Sequence, residues 1–340
     1  MTTKTKTFIT LLFLFAIALI GYFAYQKVFS SNITKNGILY IKTDTEFGVM
    51  MQDLKPFLKN EATFKLLAQK MKFSKPKAGR YEIKKGMNNV DLIRKLRAGM
   101  QDPIKVSYNN QDYLERLAGR LAQQFEADSL AFLEVLSDEK FLTDNGFNKE
   151  NALSMYIPNS YEFYWTTTPE KFRERMLKEY KQFWNENRIA KAKKQNLTPI
   201  QVSTLASIVQ KETANVSERK TVAGLYLNRL NDKILLQADP TVIYSVRQTK
   251  GQDYAMKRVL LKDLEIDSKY NTYKYEGLPP GPIAMPDISS IEAVLNPENH
   301  EYYYMCASVS DFGKHVFAKT LAQHNVNAAK YQKWVAEQGY

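Results

Sequence analysis

The segment best equipped for chemistry is LASIVQKET, residues 205–213, inside a helical stretch that opens at Thr198 and Pro199. A Thr followed by Pro is a helix-start signal. It places Leu205, Ile208, Val209 and Glu212 at spacings of three, four and seven, so Glu212 shares the apolar stripe. A carboxyl group held among apolar neighbours loses solvation when charged, and its pKa rises toward neutrality. Such an acid can hand a proton to a glycosidic oxygen. The same place near a helix end also suits a glutamate turned outward to water or to a lysine, and the residue pattern alone leaves both readings open.

Two further carboxylates have structural explanations. Asn215 with Glu218 three residues on, and Ser217 opening the next helix, resembles a capping box. A break at residues 214–216 separates Glu218 from Glu212, so the spacing predicts no carboxylate pair. Asp239 and Pro240 read as the N-cap and first residue of a short helix. The segment YNTYKYEGLPPGPIAMP gathers Tyr270, Tyr273, Tyr275 and Asn271 before a stiff turn of Pro279, Pro280, Gly281 and Pro282. Aromatic faces and amides suit sugars, so this loop is expected to line a site, although a surface hinge has the same composition.

No Walker loop, dinucleotide fingerprint, serine elbow or zinc motif occurs in the sequence. Cys306 is the sole cysteine, and with His300, His315 and His324 it makes poor material for a zinc site. The sequence therefore predicts no cofactor, no metal and no disulfide.

Elements that could position these residues follow from periodicity. The chain has 340 residues, 44% of them hydrophobic and 25% charged, which is the composition of a folded protein with one large domain or two modest ones. The pattern predicts an α+β fold. ILYIKT reads as a strand, helical stretches follow between about residues 53 and 72, and GRYEI, a Gly86 turn, a helix carrying Val90, Ile93 and Leu96, and IKVSY complete a small unit over residues 36–105. Residues 106–340 form a second, mainly helical part. It includes one long helix capped by Thr168 that carries Phe172, Met176, Tyr180 and Phe183 on its core face, and it ends in two strands, YYYMCASV and HVFAK, with a last helix from about residue 321.

Residues 8–25, FITLLFLFAIALIGYFAY, carry no charge and reach roughly 27 Å as a helix, nearly the thickness of a bilayer's hydrocarbon. They are expected to be an uncleaved membrane anchor behind a cytoplasmic tail at 1–7, with the rest of the chain outside the cytoplasm; a cleaved signal peptide is the rival reading. The net charge of +12 is concentrated in residues 55–105, where 14 Lys or Arg face 4 Asp or Glu. That stretch could meet anionic lipid, polymer carboxylates or nucleic acid, or could be a solvated face.

Taken in order, IPNSYEF, LASIVQKET, LYLNRL, LLQADPTVIYSV, YNTYKYEGLPPGPIAMP and HVFAKTLAQHN resemble the YceG-like (MltG) family of endolytic murein lytic transglycosylases, over about residues 36–335. The Tyr81-x-Ile83-x-x-Gly86 pattern before a helix is similar to a LysM carbohydrate-binding module. The resemblance implies a single-pass protein of the cytoplasmic membrane, with a LysM-like subdomain at 36–105 and an extracytoplasmic catalytic domain at 106–340. Its substrate would be nascent peptidoglycan strands, cut at the bond between N-acetylmuramic acid and N-acetylglucosamine to leave 1,6-anhydro ends. Peptidoglycan synthases of the penicillin-binding class would be candidate partners, with no nucleic acid and no cofactor.

By the same resemblance Glu212 is the catalytic acid and then base, and Gln237, Asp239, Tyr244, Asn271 and Tyr273 match positions expected to line the substrate cleft. Gln210 stands where the family often has Glu, and Met285 where it commonly has Asn. A hydrolytic muramidase using Glu218 or Asp239 as a second base, a non-catalytic wall-binding protein and a nucleic-acid binder are the competing readings.

Overall fold

The computed structural model describes residues 3–256 and 258–338, without the side chains of residues 3–7, Ala24 and Lys27. The chain divides into two compact units. The first comprises Met1–Val106 with Gln124–Ala127 and Tyr161–Thr167; the second comprises Ser107–Gln123, Asp128–Ser160 and Thr168–Tyr340. Sequence periodicity treats each part as continuous, with a boundary after residue 105. It misses the two short returns to the first unit, because a segment of four to seven residues is too short to carry a period.

In the first unit, helix α1 (Thr3–Phe29) is followed by β1 (Gly37–Ile41), α2 (Phe47–Leu54), α3 (Glu61–Lys70), β2 (Gly79–Ile83) and α4 (Asn89–Ala98). β1 and β2 pair antiparallel with Leu39 opposite Tyr81, and both side chains are buried. α2 begins six residues before the expected helical stretch. α4 starts where the Asn88 side chain accepts from Asp91 N and stops at Gly99, whose φ of 73° suits a residue without Cβ. Val90, Leu92, Ile93 and Leu96 on α4 are buried, and the last three join the core of Leu39, Met50, Leu54, Phe64 and Tyr81. β3 (Ile104–Ser107) forms a two-stranded sheet with β4 (Ser160–Phe163).

The expected span at 8–25 falls within α1, where Phe8, Leu11, Leu12, Phe15 and Ile20 are exposed. Among the described residues no helix is long and apolar enough to cross a membrane, so the spanning reading gains no support there. Ala24 interrupts the described side chains within that stretch, and the side chains of the expected tail at 1–7 lie outside the described residues.

The second unit contains α5 (Leu114–Ala122), α6 (Ser129–Leu136), α7 (Glu139–Asp144), α8 (Pro169–Phe183), α9 (Glu186–Lys194), α10 (Pro199–Glu212), α11 (Arg219–Asn231), α12 (Asp239–Lys250) and α13 (Ile288–Leu295). It closes with the antiparallel hairpin β5 (Tyr304–Ala307) and β6 (His315–Ala318) and with α14 (Leu321–Glu337). The single long helix expected from Thr168 onward is two, α8 and α9, because Asn185 caps a fresh start by accepting from Arg188 N at 3.0 Å.

α10 is the central helix of this unit. The expected start is present as a full capping box, with Thr198 Oγ1 accepting from Gln201 N and Gln201 Oε1 accepting from Thr198 N. Its burial differs from an amphipathic stripe, since every residue from Val202 to Val209 is buried. Ser203, Thr204 and Ser207 tolerate this because each hydroxyl donates to a carbonyl three or four residues back. α11, α12 and α13 pack around it and bury Val222, Leu225, Val242 and Ile291.

Candidate active site

Glu212 is the last residue of α10, where the helix leaves the core and meets a cleft of about 370 Å³. α11 supplies Tyr226 and Arg229 to the same cleft; the 236–239 segment supplies Leu236, Gln237 and Asp239; Tyr273 closes one side. The other wall is the hairpin and the start of α14, with Tyr304, Met305, Cys306, His315 and His324.

Glu212 is half-buried as a residue, and Tyr226 donates its phenolic hydrogen to Oε1 at 2.7 Å. Burial raises the Glu212 pKa to about 7; the Tyr226 hydrogen bond opposes the rise and the negative charge of Asp239 adds to it. Position at the C-terminal end of α10 acts in the same direction, because the helix carbonyls disfavour an anion there. Burial, together with the Glu212 carboxyl beside it, holds Tyr226 well above the usual phenol range, so the phenol remains a donor.

Around this pair the polar groups are tightly arranged. Tyr273 donates to Asp239 Oδ1 at 2.6 Å. Arg229 is buried, with Nε donating to Tyr303 O at 2.6 Å and Nη1 to Leu235 O, Leu236 O and Gln237 Oε1 at 2.9, 3.1 and 3.2 Å. Gln237 itself has a φ of 51°, a left-handed conformation that costs a non-glycine residue about 1–3 kcal/mol and is held by its N–H donating to Thr272 O. His324 stacks on the Tyr304 ring at 5.4 Å, and burial, then Arg229, lowers its pKa, so it stands neutral at pH 7. Among the described residues no three His, Cys, Asp or Glu side chains converge to hold a metal ion.

Of the residues expected at the cleft, Glu212, Gln237, Asp239 and Tyr273 are brought together. Tyr244 and Asn271 are not. Tyr244 stacks on Tyr113 at 5.3 Å, meets the tilted Tyr270 ring at 4.7 Å, and lines a different cavity. Asn271 is fully buried, donating to Leu264 O and Ile266 O and accepting from Tyr273 N, so its amide shapes the loop that aims Tyr273.

Asp239 does not cap α12: the N-cap is Ala238, and the Asp239 carboxylate is engaged by Tyr273 instead. Glu218 does not reach back in a capping box either. It is buried and accepts from His315 N at 2.7 Å, with His315 Nδ1 and Thr213 Oγ1 both at 3.3 Å, and so fastens the start of β6.

The stiff proline turn also stands away from the cleft. Ile283 N donates to Ser207 Oγ, and Gln210 donates to Met285 O while accepting from Asp287 N, so the turn braces α10. The Gln210 amide gives and receives at once, which an ionised carboxylate at this position could not do because it lacks a donor. Met285 is fully buried and contributes nothing to the cleft wall. Tyr226, Arg229 and His324 are cleft residues that sequence reasoning did not single out. The i, i+3 relation of Tyr226 and Arg229 within LYLNRL is a signal for a shared helix face, but it does not say which face is wet.

The chain matches the YceG-like family over residues 39–330. A protein of Bacillus subtilis (strain 168) named endolytic murein transglycosylase is 33% identical over 290 residues, covering 81% of this chain and 78% of that protein. A protein of the same name from Streptococcus pneumoniae serotype 2 (strain D39 / NCTC 7466) is 29% identical over 362 residues, covering 94% of this chain but 64% of the relative's length. A crystal structure described as a yceG-like protein from Listeria monocytogenes aligns with a TM-score of 0.58 at 28% identity, over 86% of this chain and 98% of that one.

Proposed function

This chain belongs to the YceG-like family, and we propose that it is an endolytic lytic transglycosylase of peptidoglycan. The observation that carries the chemistry is the Glu212 carboxyl, raised by burial to a pKa of about 7 and held by a phenol donor at 2.7 Å, in a cleft. Such a group is populated in both protonation states near neutral pH and can serve as acid and then as base.

In the proposed sequence Glu212 protonates the oxygen that links muramoyl C1 to the C4 of the next N-acetylglucosamine, and the C1–O bond breaks. The carboxylate then takes the proton of the muramoyl C6 hydroxyl as that oxygen bonds to C1. The products are a 1,6-anhydromuramoyl end and a free 4-hydroxyl, with no water consumed and Glu212 returned to its acid form. Ordinary glycosidases need two carboxyl groups flanking the bond; here the C6 hydroxyl replaces the second group's water.

Asp239 on the same cleft favours one second reading, hydrolysis with Asp239 as the base. Digestion of purified peptidoglycan by the chain, followed by mass spectrometry of the ends, separates the two. Anhydro ends absent from a Glu212→Gln digest support transglycosylation; reducing ends support hydrolysis.

The setting is part of the same proposal. The exposed apolar side chains of α1 would seat it in the cytoplasmic membrane, with the cleft on the extracytoplasmic side. The strand, turn and helix of β2, Gly86 and α4 would act as a LysM-like glycan-binding element. Its basic face would meet anionic lipid or stem-peptide carboxylates near nascent strands and synthases, and cutting there would end strand elongation.

A further inference from the structure

Arg229 is 7% exposed, yet the charged or titratable groups that act on it are the phenols Tyr226, Tyr304 and Tyr273, with no carboxylate partner among the described residues. Its Nε and Nη1 are taken by three backbone carbonyls and one amide oxygen, all neutral acceptors. The Tyr304 ring lies 5.2 Å from its Cζ. Nη2 has no hydrogen-bond partner among the described residues, and Arg229 lines the cleft that holds Glu212. A buried cation left without an anion is costly unless something else supplies acceptors. The fixed fork of the guanidinium here spends one edge on the protein and keeps a charge-assisted donor for the cleft.

Its place along the cleft is set by α11. Tyr226, which holds Glu212, is three residues earlier, so the two side chains start from Cβ atoms about 5–6 Å apart on one helix face. The cation therefore sits one helical turn from the proton donor.

Alternating glycan strands pose a register problem at that distance. Both sugars carry a C2 acetamide and the same ring, and they differ at O3, where the muramoyl unit alone bears a lactyl ether. An enzyme that closes muramoyl O6 onto muramoyl C1 must keep that sugar on a fixed side of Glu212, because a shift of one sugar presents the wrong bond. Building on the transglycosylase activity proposed above, we infer that Arg229 sets this register by donating from Nη2 to an oxygen of the muramoyl lactyl group. The acceptor is the lactyl carbonyl in peptide-bearing strands and the lactyl carboxylate in peptide-free strands.

The test uses the full chain carrying Glu212→Gln, so that ligands stay intact. Binding is measured for a peptide-free alternating tetrasaccharide, its peptide-bearing form and chitotetraose, which has the same length without lactyl groups. The expected result is at least a tenfold preference for both muramoyl ligands. Added Arg229→Lys or Arg229→Met should reduce that preference to about twofold or less while chitotetraose affinity stays within twofold. Salt should weaken the peptide-free ligand, whose lactyl acceptor is a carboxylate, and a peptide-free affinity indifferent to salt would overturn that pairing.

The inference is overturned by equal affinity for the three ligands in the Arg229-containing protein, a comparison that needs no Arg229 variant to fold. It is also overturned by a preference that survives Arg229→Met, or by a parallel loss for chitotetraose. If the unsubstituted chain releases no anhydro ends from peptidoglycan, the activity itself fails; if anhydro ends form and the preference is absent, only the role of Arg229 fails.

Discussion

The phenol of Tyr226 reaches Glu212 Oε1 at 2.7 Å from a separate helix, fourteen residues later in the chain. It makes a directional contact with the carboxyl in a site whose burial disfavours charge. The result is an acid poised near pH 7 by opposing effects, in which burial outweighs the hydrogen bond.

Glu212→Gln should lower kcat by about 10²–10⁴-fold or more, as loss of a general acid–base group does. It should also change stability with pH. The folded pKa of about 7 lies above the ordinary 4.5, so the folded state holds this proton more tightly. The stability this confers is complete below about pH 4.5 and lost as pH rises to about 7. Urea unfolding at pH 5 and pH 8 should therefore show the unsubstituted protein losing about 1–3 kcal/mol relative to Glu212→Gln. A difference that is flat with pH would show that the carboxyl is solvated.

Tyr226→Phe and Asp239→Asn should move the alkaline limb of the kcat/KM profile in opposite directions. The reaction begins from protonated Glu212, so kcat/KM falls as pH rises through its pKa. Removing the Tyr226 donor destabilises the carboxylate and shifts the limb to higher pH; removing the Asp239 charge stabilises it and shifts the limb to lower pH. Tyr226→Phe should also cost about tenfold in rate, the scale of one hydrogen bond to a charged group. Shifts of the same sign would mean that a different group controls the limb.

Glu218→Ala should loosen the far wall of the cleft. Its carboxylate receives the backbone N–H of His315 at 2.7 Å, and that donor would be left without its partner. A loss of about 1–3 kcal/mol is expected, with faster amide exchange in β5 and β6 and a lower kcat. The pH profile should keep its position, since Glu218 is not among the causes of the Glu212 shift.

Three glycine-to-alanine changes should separate by the space each Cβ would meet. At Gly281 the added atom would lie 1.9 Å from Glu150 O, and at Gly224 2.5 Å from Glu298 O, so each should destabilise by at least about 1–3 kcal/mol. Gly119, inside α5 with nothing within 4 Å, should gain about 0.5–1 kcal/mol from helix propensity. Thermal denaturation of the three variants checks the order.

Much of this site was legible in the residues themselves. The capped start of α10 and the apolar run before Glu212 allowed a carboxyl held out of water but equally one turned to solvent, and the helix is buried all round from Val202 to Val209. Tyr244 and Asn271 stand outside the cleft at Glu212 for a common reason: motif membership places a residue near a site in sequence, while ring packing and loop closure decide where its side chain goes. Asp239 and Glu218 show the opposite limit. Each looked like a local cap, and each is instead held by a residue far along the chain, Tyr273 or His315, which local spacing cannot reveal.

The wall formed by Tyr304, Met305, Cys306, His315 and His324 follows Glu212 by about ninety residues or more. During translation Glu212 therefore leaves the ribosome well before the surface that faces it across the cleft. The cleft beside Glu212 is complete only once the final hairpin and helix have emerged and folded.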